Sequence, residues 1–119
     1  MFKIRFFKDA KGNESVAEYI ETLENNARTN KDARIKYQKI TAYLNSLALH
    51  GTKMGEPYTK HIEGDIWELR PLQDRIFYFC WRGDSFIILH HFIKKTQKTP
   101  KREIEQAKRN MLAFIEREG

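Results

Sequence analysis

Three charged side chains in the middle of the chain have the types and the spacing needed to hold a phosphodiester. Glu68 and Arg70 stand two residues apart in the segment WELR, so an extended backbone sends both side chains to one face. Arg75 opens the next apolar run, RIFYF. Planar guanidinium groups can bind two phosphate oxygens at once, and an ionised carboxylate between them can act as a base. The pattern indicates phosphodiester chemistry on RNA as a first hypothesis.

The turn between the two strands decides whether Arg75 lies beside the other two residues. With a two-residue turn at Gln73-Asp74, Leu72 faces Arg75, and Arg75 shares the face of Glu68 and Arg70. A three-residue turn breaks this parity. The alternative interpretation is a salt-bridge ladder on a solvent-facing sheet, where Glu-x-Arg pairs are common. Spacing alone leaves both interpretations open.

A strongly basic segment follows the last predicted strand. Between Lys94 and Arg109 seven bases stand against two acids, so this segment carries +5 of the chain's net charge of +6. Such a local field attracts polyanions or an acidic protein partner, whereas the alternative is a solvated helix face. A helix N-terminus next to lysines is also a natural anion site. Three lysines precede the predicted C-terminal helix, namely Lys94, Lys95 and Lys98.

Hydrophobic periodicity predicts a strand and two helices in the first half of the chain. Residues 2–7 alternate apolar and charged side chains for most of their length, which is typical of a half-buried strand. A helix is predicted to begin at a capping box of Ser15 and Glu18. A second helix follows the polar break at 28–31 and ends at Gly51, which indicates an antiparallel helical hairpin.

The second half predicts three strands and a helix. Residues 51–60 contain Gly and Pro and are predicted to form a loop. The strands are expected at about 65–71, 75–82 and 85–93, and the short breaks between them, such as Gly83-Asp84, favour antiparallel hairpins. The last of these strands is apolar on both faces, which indicates an interior position in the sheet.

The C-terminal helix is predicted to have Thr99 as N-cap and Pro100 in its first turn. The whole chain, 1–119, is therefore predicted to be one α+β domain with the order β-α-α-β-β-β-α. Its helices would pack on a small, curved, mostly antiparallel sheet. This architecture must bring the charged side chains together.

Several other reactive side chains have ordinary structural explanations. Hydrogen-bonded structural roles are favoured over proton transfer for His90 and His91, which point to opposite faces of a strand. Cys80 lies in an apolar run and is predicted to be a buried, inert thiol. The aromatic residues around it are expected in the core. Tyr58, in the predicted loop, is the candidate for an exposed ring that stacks on an RNA base.

Composition and motif spacing also limit the cofactors and the location. No residues have the spacing of a metal-ligand pair, so neither a metal nor another cofactor is predicted. The N-terminus is too charged for a signal peptide. No apolar stretch approaches the roughly 20 residues that cross a bilayer, so a cytoplasmic location away from membranes is expected.

Taken in this order, the motifs resemble the RelE/HigB-like toxins of type II toxin–antitoxin modules, in particular the phage-derived branch of the RelE/ParE superfamily. The similarity rests on WELR, on Arg75 at the start of an aromatic strand, and on HHFIKKTQKTPKREIEQAK. It is strong from about Tyr58 to Phe114 and extends to the first fifty residues in layout only. The resemblance implies a RelE-like fold and a metal-independent, ribosome-dependent mRNA endonuclease. In that reaction the 2′-hydroxyl attacks the adjacent phosphate and a cyclic phosphate forms.

The resemblance also implies roles for individual residues. Glu68 would be the base, Arg70 and Arg75 would stabilise the phosphate, and Lys94 or Lys95 would supply further charge or the acid. Many relatives carry a histidine or tyrosine acid near the last turn, whereas this chain ends with a helix, so the acid is unassigned. Further RNA or phosphate contacts are expected at Lys98, Lys101, Arg102 and Tyr58.

The implied partners follow from the same similarity. A cognate helix-turn-helix antitoxin, HigA-like in type, would neutralise the protein, and operator DNA would be reached only through that antitoxin. The ribosome and its mRNA would be the targets. A hypothesis of a different class also stays open: a non-catalytic basic binding module, such as an inactive toxin relic, that docks an acidic partner or nucleic acid.

Overall fold

A five-stranded sheet with helices on both faces forms the framework of the protein in a computed structural model that describes residues 1–119. The predicted α+β class is confirmed. In chain order the elements are β1 (Lys3–Phe6), α1 (Ser15–Asn26), α2 (Lys31–His50), a 3₁₀ turn (Gly51–Met54), β2 (Thr59–Glu63), β3 (Ile66–Leu69), β4 (Asp74–Trp81), β5 (Ser85–Ile93) and α3 (Lys101–Glu118).

The order of the strands across the sheet is β1-β5-β4-β3-β2. Neighbours from β2 to β5 run antiparallel, as the short predicted breaks require. β1 pairs with β5 in parallel, which makes the sheet mixed. β4 is the middle strand, and β5 has partners on both edges, in agreement with its predicted interior position.

β2 is the one strand that the sequence pattern misses, because part of its range was predicted to be a loop. Its residues, TKHIE, are polar at most positions and do not alternate with apolar ones. The strand forms an edge of the sheet through backbone pairing with β3, beginning with Thr59 opposite Leu69. Edge strands need only one buried face and one paired side, so side-chain periodicity is a weak signal for them.

Two hydrophobic cores lie on opposite faces of the sheet. The α1–α2 hairpin covers one face through residues such as Leu23 and Ile40, which pack against Ile76 and Tyr78 of β4. α3 covers the other face, where Ala107 and the other apolar side chains on the inner side of this helix pack against the opposite side of β4 and β5. None of the helices is both long enough and apolar enough to cross a membrane.

The ends of the helices differ in part from the predicted caps. Glu18 accepts a hydrogen bond from a backbone N–H as expected, but the donor is Glu14 (2.9 Å), and Ser15 is already the first helical residue. Gly51 ends α2 with a φ of 61°, a left-handed conformation that glycine adopts without steric strain. Pro100, and not Thr99, is the N-cap of α3, which leaves the Thr99 hydroxyl free for another contact.

Cys80 is exposed, so the prediction of a buried thiol is wrong. It lies near the end of β4, where an open cleft of about 490 Å³ separates the sheet from the C-terminal end of α2. Leu49 and Phe86 line the same cleft. The apolar run predicts a strand at this position, but burial depends on which part of the strand the helix covers.

Candidate active site

The turn between β3 and β4 places Arg75 on the face of Glu68 and Arg70. The predicted central residues of the turn are Gln73 and Asp74. The observed ones are Leu72 and Gln73, one position earlier, because the Asp74 N–H donates to the Pro71 carbonyl at 3.0 Å. In the resulting register Glu68 faces Phe77. This pairing differs from the predicted one by two residues. Because side chains alternate with a period of two, the shift leaves Arg75 on the expected face.

Glu68 lies between the two arginines. Its Oε1 is 3.5 Å from Nε of Arg70 and 3.9 Å from Nε of Arg75. Its Oε2 accepts a hydrogen bond from the Thr99 hydroxyl at 3.2 Å, so the segment before α3 covers the carboxylate. Glu68 is only 1% exposed. A solvent-facing salt-bridge ladder therefore does not describe this cluster.

Arg75 is held by its neighbours on one side only. Its Nη1 donates to the carbonyl oxygens of Leu72 (2.7 Å) and Asp74 (2.8 Å). Nε faces Glu68, and Nη2 has no hydrogen-bond partner within the protein. Burial is the main cause that lowers the pKa of Arg75, Arg70 adds to it, and Glu68 opposes it. The guanidinium is thus a rigidly placed cation in which neither Nε, 3.9 Å from Glu68, nor Nη2 has a hydrogen-bond partner.

An open polar cleft adjoins this guanidinium. Its volume is about 490 Å³, and no apolar residue lines it. The loop after β5 forms one wall and is tied to the β3–β4 turn by a hydrogen bond from the Lys94 N–H to the Gln73 carbonyl at 2.8 Å. The lining residues are Gln73, Arg75, Lys94, Lys95, Thr96 and Gln97. The structure therefore joins Arg75 to both predicted lysines, and it adds three uncharged polar side chains that the sequence did not single out.

The other predicted contacts surround the cluster without lining the cleft. Lys98, Lys101 and Arg102 are exposed around the start of α3, where Arg102 lies 3.7 Å from the carboxylate of Glu103. The Tyr58 ring is 46% exposed, in agreement with the prediction, and its edge meets the ring of Tyr43 at 5.5 Å between centroids. Its carbonyl accepts the N–H of Arg70.

A partly buried polar cluster on the opposite face of the sheet was not predicted. Both Tyr19 and His91 donate to Oδ1 of Asp74, each at 2.8 Å, and their rings stack at 3.9 Å. His90, on the α3 face, pairs with Glu103 at 2.7 Å. Both histidines therefore have hydrogen-bonded roles, as expected. No group of three or more His, Cys, Asp or Glu side chains is arranged to hold a metal ion.

Asp74 is expected to make stability depend on pH in the acidic range. Burial alone raises the pKa of this carboxyl group, but hydrogen bonds from His91 and Tyr19 outweigh burial and lower it. A lowered folded-state pKa adds stability above the unfolded value of about 3.9, and this stability is lost as the pH falls through the folded-state value. Asp74→Asn should therefore reduce stability near neutral pH by roughly 1–2 kcal/mol and flatten the decline below about pH 4.

Urea unfolding between neutral and acidic pH measures this effect. Glu21→Gln is a matched control, because Glu21 is an exposed acid on the same helix as Tyr19. The control should keep the acid dependence of the unsubstituted protein. If the stability of the Asp74→Asn variant falls with pH as steeply as that of the unsubstituted protein, another carboxylate is responsible for the acid dependence.

Comparison with known proteins identifies a family for this chain. No curated protein matches the chain. A family model does match residues 18–112, which include most of α1, the whole of the candidate site and α3 up to Leu112. That family is phage-derived and is associated with the toxins of toxin–antitoxin systems. The chain belongs to the family described as Phage derived protein Gp49-like (DUF891).

Proposed function

We propose that the protein is the toxin of a type II toxin–antitoxin system and acts as a ribosome-dependent, metal-independent mRNA endonuclease. Membership in a toxin-like family implies an antitoxin as partner. The RelE/HigB-like mode of action goes beyond that membership. The observation that carries it is the position of Arg75, which shares Glu68 with Arg70 and also borders the cleft of Lys94 and Lys95.

In the proposed reaction, the 2′-hydroxyl of one nucleotide gives its proton to a solvent water molecule in the open cleft, and its oxygen attacks the adjacent phosphorus. The new 2′-O–P bond forms as the P–O5′ bond breaks, which leaves a 2′,3′-cyclic phosphate and a free 5′-hydroxyl. Negative charge grows on the non-bridging oxygens. The Nη2 group of Arg75, together with the Arg70 cation, would stabilise this charge. Lys94 or Lys95, across the cleft, would donate a proton to the leaving 5′-oxygen.

Glu68 was expected to be the base that removes the 2′-hydroxyl proton. A base must come within hydrogen-bond reach of that proton, yet both oxygens of Glu68 face Thr99 or the arginines. We therefore propose that Glu68 holds the two guanidinium groups in position in this conformation. It could reach RNA only after the Thr99 contact opens.

Without an exposed strong base, orientation must supply much of the rate. Holding the 2′-oxygen, phosphorus and 5′-oxygen in line converts the reaction into a well-oriented intramolecular step. A ribosome that presents the mRNA in a fixed conformation would provide this alignment. Naked RNA is accordingly expected to be a poor substrate.

Primer extension on an mRNA in a reconstituted translation system tests the proposal. Cuts within codons in the ribosomal A site should appear only when ribosomes translate the message, and addition of EDTA-treated protein should give the same cuts. Cleavage of naked RNA at the same rate would contradict ribosome dependence. A folded protein that never cuts, but still binds its antitoxin, would support the non-catalytic binding module instead.

A further inference from the structure

A second basic cleft lies at the opposite end of the sheet from the candidate active site. It has a volume of about 350 Å³ and sits where the β4–β5 hairpin meets the start of β1. The side chains that line it are Lys3, Arg5, Trp81, Arg82, Asp84 and Ser85. Arg75 and Trp81 are six positions apart along β4, so the two clefts are roughly 20 Å apart at about 3.3 Å per residue.

Arg82 has a backbone conformation that residues with long side chains rarely adopt. Arg82 and Gly83 are the central residues of the hairpin turn, and their φ angles are 53° and 75°. Two positive φ values are the pattern of a type I′ turn, in which Asn and Gly are favoured and a long side chain is disfavoured. A positive φ is uncommon for an arginine, and residues with such conformations occur often at ligand-binding and other functional sites.

The side chain of Arg82 is presented to solvent. Its guanidinium carbon lies 4.7 Å from the centre of the Trp81 ring, and it makes no ion pair with any carboxylate. The Trp81 ring is itself fixed by an edge contact with Phe114. Lys3 has only a 4.0 Å approach to the exposed Asp84. Arg82 and Lys3 are thus the cations of this cleft that remain available to a ligand.

We infer that this cleft binds the phosphate backbone of structured ribosomal RNA and anchors the protein while the first cleft reaches the mRNA. This inference rests on the proposed ribosome-dependent function. Planar guanidinium groups and lysines beside an aromatic ring suit a polyanion of this kind. An acidic protein partner fits less well, because protein interfaces have an apolar centre and Trp81 is the only apolar residue that lines the cleft.

The test compares ribosome binding by two doubly substituted proteins. Lys3→Gln/Arg82→Asn removes the two available cations and places Asn where the turn favours it. Arg28→Asn/Lys39→Gln removes two exposed cations elsewhere and is the matched control. Affinity for purified ribosomes is measured by co-sedimentation at several salt concentrations. Thermal unfolding is followed in parallel.

Removal of each phosphate contact should weaken binding about fivefold at about 0.15 M salt, so the double variant should lose roughly 25-fold. The slope of log affinity against log salt should fall by about 2, since each lost phosphate contact contributes about 1. The melting temperature of this variant should equal or exceed that of the unsubstituted protein, because Asn tolerates a positive φ. The control should bind ribosomes as the unsubstituted protein does.

Three outcomes would overturn the inference. Unchanged ribosome affinity in the Lys3/Arg82 variant, beside normal binding by the unsubstituted protein, would reject the second cleft and leave the proposed function intact. Loss of antitoxin binding with full ribosome binding would assign the cleft to a protein partner. No ribosome binding by the unsubstituted protein would reject the inference together with ribosome dependence itself.

Discussion

Replacement of Arg75 by alanine is expected to abolish the growth arrest caused by expression of the protein and to slow mRNA cleavage about 10²–10³-fold. The reason is geometric. Arg75 is the cation that both contacts the Glu68 centre and lines the open cleft, and its Nη2 is unoccupied. Loss of one preorganised donor that faces the growing charge typically produces a rate effect of this size.

Two further substitutions make the Arg75 experiment specific. Arg75→Lys keeps the positive charge but not the planar set of donors. Its cleavage rate should therefore lie between the rates of the unsubstituted protein and of Arg75→Ala. Arg28→Ala removes an exposed arginine from the connection between α1 and α2 and should leave the arrest unchanged. Circular dichroism and antitoxin binding report whether each variant is folded. Full toxicity of folded Arg75→Ala would remove Arg75 from the proposed mechanism.

Substitution of Glu68 by alanine is expected to have the largest effect on stability, a loss of about 3 kcal/mol. Glu68 is the carboxylate that both Arg70 and Arg75 approach, and it is buried under Thr99 together with Arg75. Its removal leaves two like charges close together without their shared partner. The partial exposure of Arg70 limits the effect, because this side chain can turn towards water. Urea denaturation measures the change.

Glu68→Gln separates the two roles considered for this residue. Glutamine keeps the shape and an acceptor oxygen for the arginines but cannot accept a proton as a carboxylate does. If Glu68 only positions the arginines, cleavage should fall by less than about tenfold and follow the loss of stability. If Glu68 is the base, cleavage should fall by about 10²–10⁴-fold while the protein stays folded. The second result would require the Thr99 contact to open during catalysis.

The sequence predicted the charged face of the sheet for a robust physical reason. Side chains of a strand alternate with a period of two, so Glu68 and Arg70 share a face whatever the rest of the protein does. The turn was predicted one residue too late, and this moved the strand pairing by two positions, an even number. Arg75 therefore stayed on that face. The amphipathic helices were predictable in the same way, because each needs only one apolar stripe.

Contacts between distant segments were not predictable from such local patterns. Thr99 was expected to cap α3, but its hydroxyl reaches Glu68, 31 residues away in the chain. The cluster of Tyr19, Asp74 and His91 joins three elements that have no common motif. Cys80 has the neighbours of a buried residue in the sequence and is exposed in the fold. Each outcome depends on where one element ends against another.

The sequence by itself determined which side chains share a face and that a basic segment follows them, because strand periodicity and charge are local properties. The tertiary structure decided what each charge can do. It brings the segment before α3 over Glu68 and thereby buries the one acid of the cluster. It leaves Arg75 at the edge of that burial, with Lys94 and Lys95 across an open cleft. Burial and access arise only when the helix, the loop and the sheet pack together, so no periodicity within one segment could specify them.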